Sequence, residues 1–427
     1  MPTPRMVWSL IAALVLAATS AVPVVPLITA RADQPTPMPT TPMPTTPMLT
    51  TPTTTTPTIT TPTITTPTTT TPTASMTAST PLTLTLSASV DTYTLNLLLA
   101  QRYAAAQPGL QIVVNPTDGQ AAFDDACAGG SQLGARDVYI QDSELARPGC
   151  ADMINIPIAA QPVAVVYNLP GARFTTRTAD GFTLAHPVRL TPRALAGIYL
   201  GRVTRWNDAA IAALNPGLTL PAARIRPFCG ANLQGLWPIV DQWLSLSDGG
   251  WRASGGFAHQ RLAACVASRP DAGLMAQSVK ATPYSVGFVD FDYAIALRLQ
   301  AAALRNAAGV FRTPSLNGVR AAIAGAIDRG MRSDFRQSFV GAAGRDAYDP
   351  SYFVFFLTHR DLRPHSADPA LRQAVKAFLQ WSVSDHGGQQ YIGQIAGLPI
   401  AGPRCEGYCA PAVLPAVIRA LVASIVV

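Results

Sequence analysis

The sequence predicts an α/β protein of two lobes, with mixed sheets flanked by helices, carried behind a disordered threonine/proline stalk. Three observations predict it. About 345 of the 427 residues follow the stalk, more than a single hydrophobic core usually serves. From Pro81 onward, short strand-like runs alternate with helical ones. Two very apolar segments, PVAVVYNL (162–169) and SYFVFFLT (351–358), lie far apart yet look alike, as if the chain leaves one lobe and later returns to it.

The N-terminus, MPTPRMVWSLIAALVLAATSA, sets Arg5 before the apolar run Met6–Ala18, the order of a secretory signal. Ala30-Arg31-Ala32 and Thr19-Ser20-Ala21 are alternative small-x-small cleavage sites. Residues 6–30 carry no charge, so an uncleaved anchor is the other reading, although Pro23 and Pro26 shorten the helix below the ~20 apolar residues of a span. No cysteine precedes Cys127, which excludes a lipid-modified start. Residues 1–32 are therefore expected to be a signal or anchor. The mature chain is extracytoplasmic: secreted, periplasmic or on the cell surface.

Residues 33–80 read as the stalk. Prolines at 42, 47, 52, 57, 62, 67 and 72 recur every five residues among threonines. Proline fixes φ and threonine disfavours helix, so the expected form is an extended rod. At ~3.1 Å per residue it reaches on the order of 100 Å. Whether it carries O-linked sugars or is a bare solvated linker, it is a spacer.

Apolar residues make up 48% and charged residues 13% of the chain, which suits a packed core. The net charge of +7 comes from scattered arginines, with lysine only at 280 and 376, so no basic stripe points to nucleic acid. All six cysteines, Cys127, Cys150, Cys229, Cys265, Cys405 and Cys409, fall after the stalk, and an even number in an exported chain reads as disulfides. Nearest-neighbour pairing keeps each bridge inside one lobe. The five histidines lie far from paired cysteines and no CxxC occurs, so no metal and no cofactor are expected.

Strands are expected over 82–90, 110–115 and 137–142, with helices over 94–106 and 120–129 between them. This βαβαβ order implies a parallel sheet, and in such sheets ligands sit beyond the carboxyl ends of the strands. That places Ser89, Asp91, Thr92, Asp118, Gly119 and Gln120 in candidate binding loops. The boundaries expected are lobe I over 81–162 and 351–427, and lobe II over 163–350. Residues 370–384 form an amphipathic helix with Leu371, Val375, Phe378, Leu379 and Val383 on one face. The C-terminal run 411–427 is interrupted by Pro415 and Arg419, too short to span a membrane, and reads as a packed terminal helix beside a Cys405–Cys409 loop.

The segment LTPRALAGIYLGRVTRWNDAAIAALNPGLTLPAARI (190–225) runs through a Thr-capped helix, a basic turn, a Trp-Asn-Asp turn and a short helix ending in Asn-Pro-Gly. It resembles the phosphate-binding proteins of ABC phosphate transporters. VKATPYSVGFVDFDYAIALRL (279–299), QAVKAFLQW (373–381) and AGLPI (396–400) are similar to further parts of that family. The resemblance covers roughly 82–427. It implies a periplasmic-binding-protein type II fold, two hinge strands, closure on a small anionic or polar solute, an ABC permease as partner, and a monomer. It also sets Asp142, in YIQDSEL, where the family carries the aspartate that accepts the phosphate proton.

The chain departs from the family where an Arg-x-Asp-Gly-Ser-Gly-Thr run would donate to phosphate. Here the stretch is Gly230-Ala231-Asn232-Leu233-Gln234-Gly235-Leu236, and only Gly235 is kept. Each lost hydrogen bond to a charged ligand costs roughly 1.5–3 kcal/mol, and Asp118 adds repulsion, so phosphate itself is disfavoured. Asn232 and Gln234 are candidate amide readers of a polar solute, or a turn beside Cys229. Asp142 is equally a helix-start residue. Ser89, Asp91 and Thr92 either line a cleft or start the helix near Thr94. Trp206 and Trp237 read as packing residues rather than stacking platforms.

Catalysis finds no support: GxSxG, HExxH, P-loop and GxGxxG motifs are absent from the sequence. Asp124 and Asp125 are adjacent on a helix and cannot face one site. The chain is therefore expected to be a non-enzymatic solute receptor. The alternative is a surface adhesion or sensing protein that reuses the fold.

Overall fold

The computed structural model describes residues 81–171, 175–177, 183–185, 187–230, 235–256, 264–395, 397–400, 411 and 413–427. The signal or anchor, the stalk, Asn232, Gln234, Cys405 and Cys409 lie outside the described residues.

The chain opens with β1 (Leu82–Ser89), α1 (Tyr93–Ala104), β2 (Leu110–Thr117), α2 (Gly119–Ala128), β3 (Leu133–Arg136), α3 (Asp142–Leu145) and β4 (Met153–Tyr167). Strand β1 lies between β2 and β3 and runs parallel to both. Its Leu84, Leu86 and Ala88 are fully buried, and so are Ser87 and Ser89, because helices cover both faces of a parallel sheet. Helix α2 starts where the carboxylate of Asp118 accepts from the amides of Gln120 and Ala121, and stops at Gly129, whose φ of 76° allows the left-handed end.

The third strand begins earlier than its sequence suggests. Residues 137–141 are not a strand; β3 ends at Arg136. The Arg136 guanidinium donates to the carbonyls of Val138 and Tyr139, and the Ile140 amide donates to Asn155 Oδ1. Side chains thus take the backbone groups that a ladder would need.

Strand β4 carries both halves. All fifteen of its residues are buried. Residues Met153–Pro162 pair antiparallel with β14 (Ser351–His359), and Val163–Tyr167 pair antiparallel with β10 (Ser285–Asp290). The register slips between Val354 and Phe355, opposite Pro157 and Ala159, so Ile158 is the extra residue. A bulge suits this place because Pro157 has no N–H to give. The partner change at Pro162/Val163 is stitched to the returning chain: the Val163 amide donates to the Pro350 carbonyl at 3.0 Å, and the Tyr348 hydroxyl donates to the Val163 carbonyl at 2.8 Å.

Beyond β4 come β5 (Thr175–Arg177), β6 (Thr183–Ala185), β7 (Arg189–Leu190), α4 (Pro192–Tyr199), α5 (Ala209–Ala212), β8 (Arg226–Gly230), α6 (Trp237–Ser247), α7 (Gly249–Ala253), β9 (Ala267–Arg269), α8 (Ala272–Ala281), β10, α9 (Phe291–Ala296), β11 (Gln300–Ala301), β12 (Ala303–Arg305), β13 (Phe311–Arg312) and α10 (Leu316–Asp328). The main sheet runs β2-β1-β3-β14-β4-β10-β8-β9. Helix α4 is capped by Thr191, whose hydroxyl accepts from the Ala194 amide, with Pro192 at the first position. Trp206 is fully buried, and its indole N–H donates to the Tyr284 carbonyl, the packing role its sequence suggests. Helices α11 (Pro369–Ser382), α12 (Gln389–Ile392) and α13 (Val413–Ala423) close the first half. Val375, Phe378, Leu379 and Val383 are buried, with Leu371 packed against them, and Phe378 and Trp381 both lie 5.2 Å from the ring of Tyr103 on α1. In α13, Leu414, Ile418 and Val422 recur at four-residue spacing on the buried face. Among the described residues no helix is long and apolar enough to cross a membrane.

Cys127 is bonded to Cys150 and Cys229 to Cys265, as nearest-neighbour pairing anticipates. The first bridge ties the end of α2 to the entry of β4 and closes a loop of separation 23. Loop-closure entropy for such a span is about 3 kcal/mol. The Cys127→Ser/Cys150→Ser double variant should therefore lose about 3 kcal/mol in urea unfolding, with its native circular dichroism kept.

Candidate functional site

A cavity of about 340 Å³ opens at the carboxyl ends of the central strands, lined by Gly119, Gln120, Asp137, Glu144, Gly235 and Tyr352 among others. Strand ends bring four aspartates together, of which Asp137 lines the cavity and the others interact with it or with one another. Asp91 lies two residues past β1, Asp137 directly follows β3, Asp290 ends β10, and Asp292 sits in the first turn of α9. Asp137, Asp290 and Asp292 are at most 6% exposed.

Each carboxyl is held differently. Asp91 Oδ1 accepts from the Ala272 amide at 2.9 Å, so a residue of the first half bonds the N-terminus of α8 in the second. Asp290 Oδ1 accepts from the Tyr352 hydroxyl. Asp292 Oδ1 accepts from the Tyr293 amide at 2.8 Å. Among the described residues, both oxygens of Asp137 and Oδ2 of Asp290 are buried without a hydrogen-bond partner on another residue. Burial and then the charge of Asp137 push Asp91 up to about 8. Burial pushes Asp137 up to about 6 and Asp292 up to about 7. Asp290 is raised well above the usual range by burial and by Asp91, Asp292 and Asp137. The cluster is thus part-protonated near neutral pH and offers both carboxyl donors and carboxylate acceptors.

The guanidinium nearest the cavity is already engaged. Arg136 makes a two-pronged, buried ion pair with Glu144, at 2.8 and 2.6 Å. Burial pushes Glu144 up, but the Arg136 hydrogen bonds and charge overcome it and hold the carboxyl below its ordinary value. Arg136 also lies 5.1 Å over the Phe123 ring.

Gly235 abuts the cluster with φ +63°, a conformation that favours glycine. A Cβ there would run into Asp91 Oδ2 and come within 3.7 Å of Asp137 Oδ2. A Cβ at Gly230 would collide with the indole of Trp237, which is largely buried and packs edge-on to Phe288 at 5.5 Å. The indole of Trp237 thus takes the space a side chain at position 230 would need.

The structure brings Asp91, Gly119, Gln120 and Gly235 to the cavity or its acid cluster. The others stand apart. Asp118 is exposed and caps α2. Ser89 and Thr92 are buried in the turn before α1, where the Thr92 hydroxyl donates to the Ser89 carbonyl and accepts from the Asn96 amide group. Asp142 has a 99% exposed side chain paired with Arg336, away from the cavity lining. Its separation from Asp137 follows from the early end of β3. Asp137, Asp290, Asp292 and Tyr352 escape sequence reasoning, because distant strands deliver them to one place. The Asp-x-Asp in GFVDFDY at the end of a strand is the only local sign.

A family model described as the PBP superfamily domain matches residues 55–386. A phosphate-binding protein PstS of Xylella fastidiosa (strain 9a5c) is 29% identical over 269 residues, which are 63% of this chain and 68% of that protein. The phosphate-binding protein PstS3 of Mycobacterium bovis (strain BCG) is 28% identical over 306 residues, 70% of this chain and 77% of that protein. The crystal structure of a phosphate-binding protein from Stenotrophomonas maltophilia aligns with a TM-score of 0.53 at 14% identity, covering 80% of this chain and 94% of that one. That likeness is one of fold.

Breaking a buried ion pair costs about 3–5 kcal/mol, because the remaining charge loses its partner. Arg136→Met should therefore cost about that much in chemical unfolding. The acids predict an inverted pH dependence. Their folded pKa values are raised, so the native state binds more protons than the unfolded chain from about pH 4 to 8, and stability falls as pH rises. Asp349, pushed up to about 7 by burial, adds to the slope. Urea midpoints at pH 5 and 8 should show this loss, and Asp292→Asn should shrink it; an equal loss in the variant would count against the cluster as its source.

Proposed function

This chain belongs to the PBP superfamily, and on that footing we propose that it is the extracytoplasmic receptor of an ABC importer, closing two lobes on a small solute that donates hydrogen bonds. Asp137 carries the reading. Both its oxygens are buried at the cavity and, among the described residues, take no hydrogen bond from another residue, and a buried acceptor of that kind costs free energy until something donates to it. The nearest guanidinium is bound by Glu144, so the charge at the site favours a solute with protons to give. Protonated phosphate has them, and relatives described as phosphate-binding proteins make it the first solute to test. Sulfate, an anion of the same shape, has none at neutral pH.

The adjoining crossings at Pro162/Val163 and Tyr348–Pro350 support closure of one half on the other. Asp91 supports it too, since its bond to Ala272 spans both halves. The reading makes the protein a carrier without catalysis, delivering solute to a permease from outside the cytoplasm.

Calorimetry of the chain with phosphate and with sulfate tests this proposal at pH 7. Phosphate should bind and sulfate should not. Asp137→Asn should weaken phosphate at least tenfold, the loss expected when a charged acceptor is removed. Phosphate binding that survives Asp137→Asn undiminished would overturn the assigned role, and equal binding of sulfate would overturn the donor requirement.

A further inference from the structure

A second cluster lies at the far end of α2, away from the cavity. His359, the last residue of β14, is 3% exposed and stacks face to face on His365, with ring centroids 3.3 Å apart and planes 9° from parallel. Asp152, just before β4, faces the same ring. One donor atom from each of the three residues lies within 4.8 Å of the others.

The ring nitrogens of His359 set the chemistry. Nε2 lies 3.1 Å from the carbonyl oxygen of Cys127, which can only accept, so Nε2 carries hydrogen. Nδ1 lies 2.6 Å from Asp152 Oδ1. With Nε2 protonated, a neutral ring turns a lone pair toward a carboxylate oxygen at that distance, and the two repel unless a cation lies between them. Metal-ligating histidines are held in this way, with the second nitrogen donating to a backbone carbonyl that fixes the tautomer.

We propose that Asp152, His359 and His365 form a binding site for a single divalent transition-metal ion, with zinc the best match. Two imidazoles and one carboxylate make an N₂O set that leaves a fourth, tetrahedral position for water. Bonds of about 2.0–2.1 Å place tetrahedral ligand atoms about 3.3 Å apart. Binding therefore requires a small outward swing of Asp152, whose side chain is 39% exposed, and a turn of the His365 ring. A cavity of about 20 Å³ beside both rings gives room for the turn. The surroundings are already fixed: the Cys127–Cys150 bridge holds the carbonyl that orients His359, Asp152 Oδ2 accepts from the Asp361 amide, and His359 pairs with Met153 across the sheet. The ion would lock the start of β4 to the end of β14 and to the last turn of α2.

Titration of the untagged full chain with Zn²⁺, after stripping with chelator, tests the site. One equivalent should bind and raise the melting temperature, and Co²⁺ in its place should give the intense visible bands of a tetrahedral ion. His365→Ala and Asp152→Asn should each weaken Zn²⁺ at least tenfold. The metal-free His365→Ala melting temperature reports whether the fold persists; should that variant unfold, Asp152→Asn alone decides. Absence of one-to-one binding below about 100 µM overturns the proposal, since the cation is then a proton. Binding left unchanged by the substitutions overturns it as well.

Discussion

The structure depends on one strand that has to satisfy two sheets. β4 runs fifteen residues without an exposed position and changes partner between Pro162 and Val163. At ~3.3 Å per residue it is roughly 50 Å long, far beyond the usual strand. Its sequence, MINIPIAAQPVAVVY, is apolar almost throughout because both faces are covered along its whole course. The two prolines stand where the ladder is broken: Pro157 at the bulge and Pro162 at the change of partner. The proline that would spoil an ordinary central strand here marks the places where pairing is handed over.

That shared strand decides where the chemistry collects. Strands β1 and β3 come from one side of β4 and β10 from the other, and their carboxyl ends meet. Each brings a carboxyl: Asp91, Asp137 and Asp290. Gathering acids in a buried space is unfavourable, and the chain offsets it by protonation and by selected donors, namely the Ala272 amide, the Tyr352 hydroxyl and the Tyr293 amide. Among the described residues Asp137 receives no donor from another residue. A carboxyl with neither oxygen furnished, among neighbours that each hold a donor, is the expected signature of a site finished by its ligand.

Local pattern made much of the fold legible. β1, α1, β2 and α2 stand within a residue or two of their expected bounds, because alternation and helical spacing are properties of ten-residue windows. The stripe on α11 is legible for the same reason. The strand-end rule points to whole loops and does not choose within them: after β1 it covers three polar residues, of which Ser89 and Thr92 are tied up in the turn while Asp91 reaches the acids. β3 stops at Arg136, so the residue directly beyond the strand is Asp137 and not Asp142. What decided that end was long-range, the hydrogen bond from Ile140 to Asn155 and the folding back of Arg136, and no window of sequence contains it. The same holds for Asp152 and His359, separated by 207 positions and joined by the pairing of β4 with β14.

Gly230 and Gly235, the two described glycines of the run at 230–236, are each fixed by a neighbouring side chain. Trp237 fills the space beside β8, and that is possible only because residue 230 has no side chain. Residue 235 is glycine because a Cβ there would meet Asp91 Oδ2, and its φ of +63° adds a second reason. The helix N-terminus that an anion would seek, at Ala272, is occupied by Asp91 itself. An arginine at 230 would displace the indole; a side chain at 235 would displace Asp91 from α8. Gly230 and Gly235 therefore answer to one kind of constraint: a Cβ at the first meets the Trp237 indole, and a Cβ at the second meets the carboxyl group that bonds the start of α8.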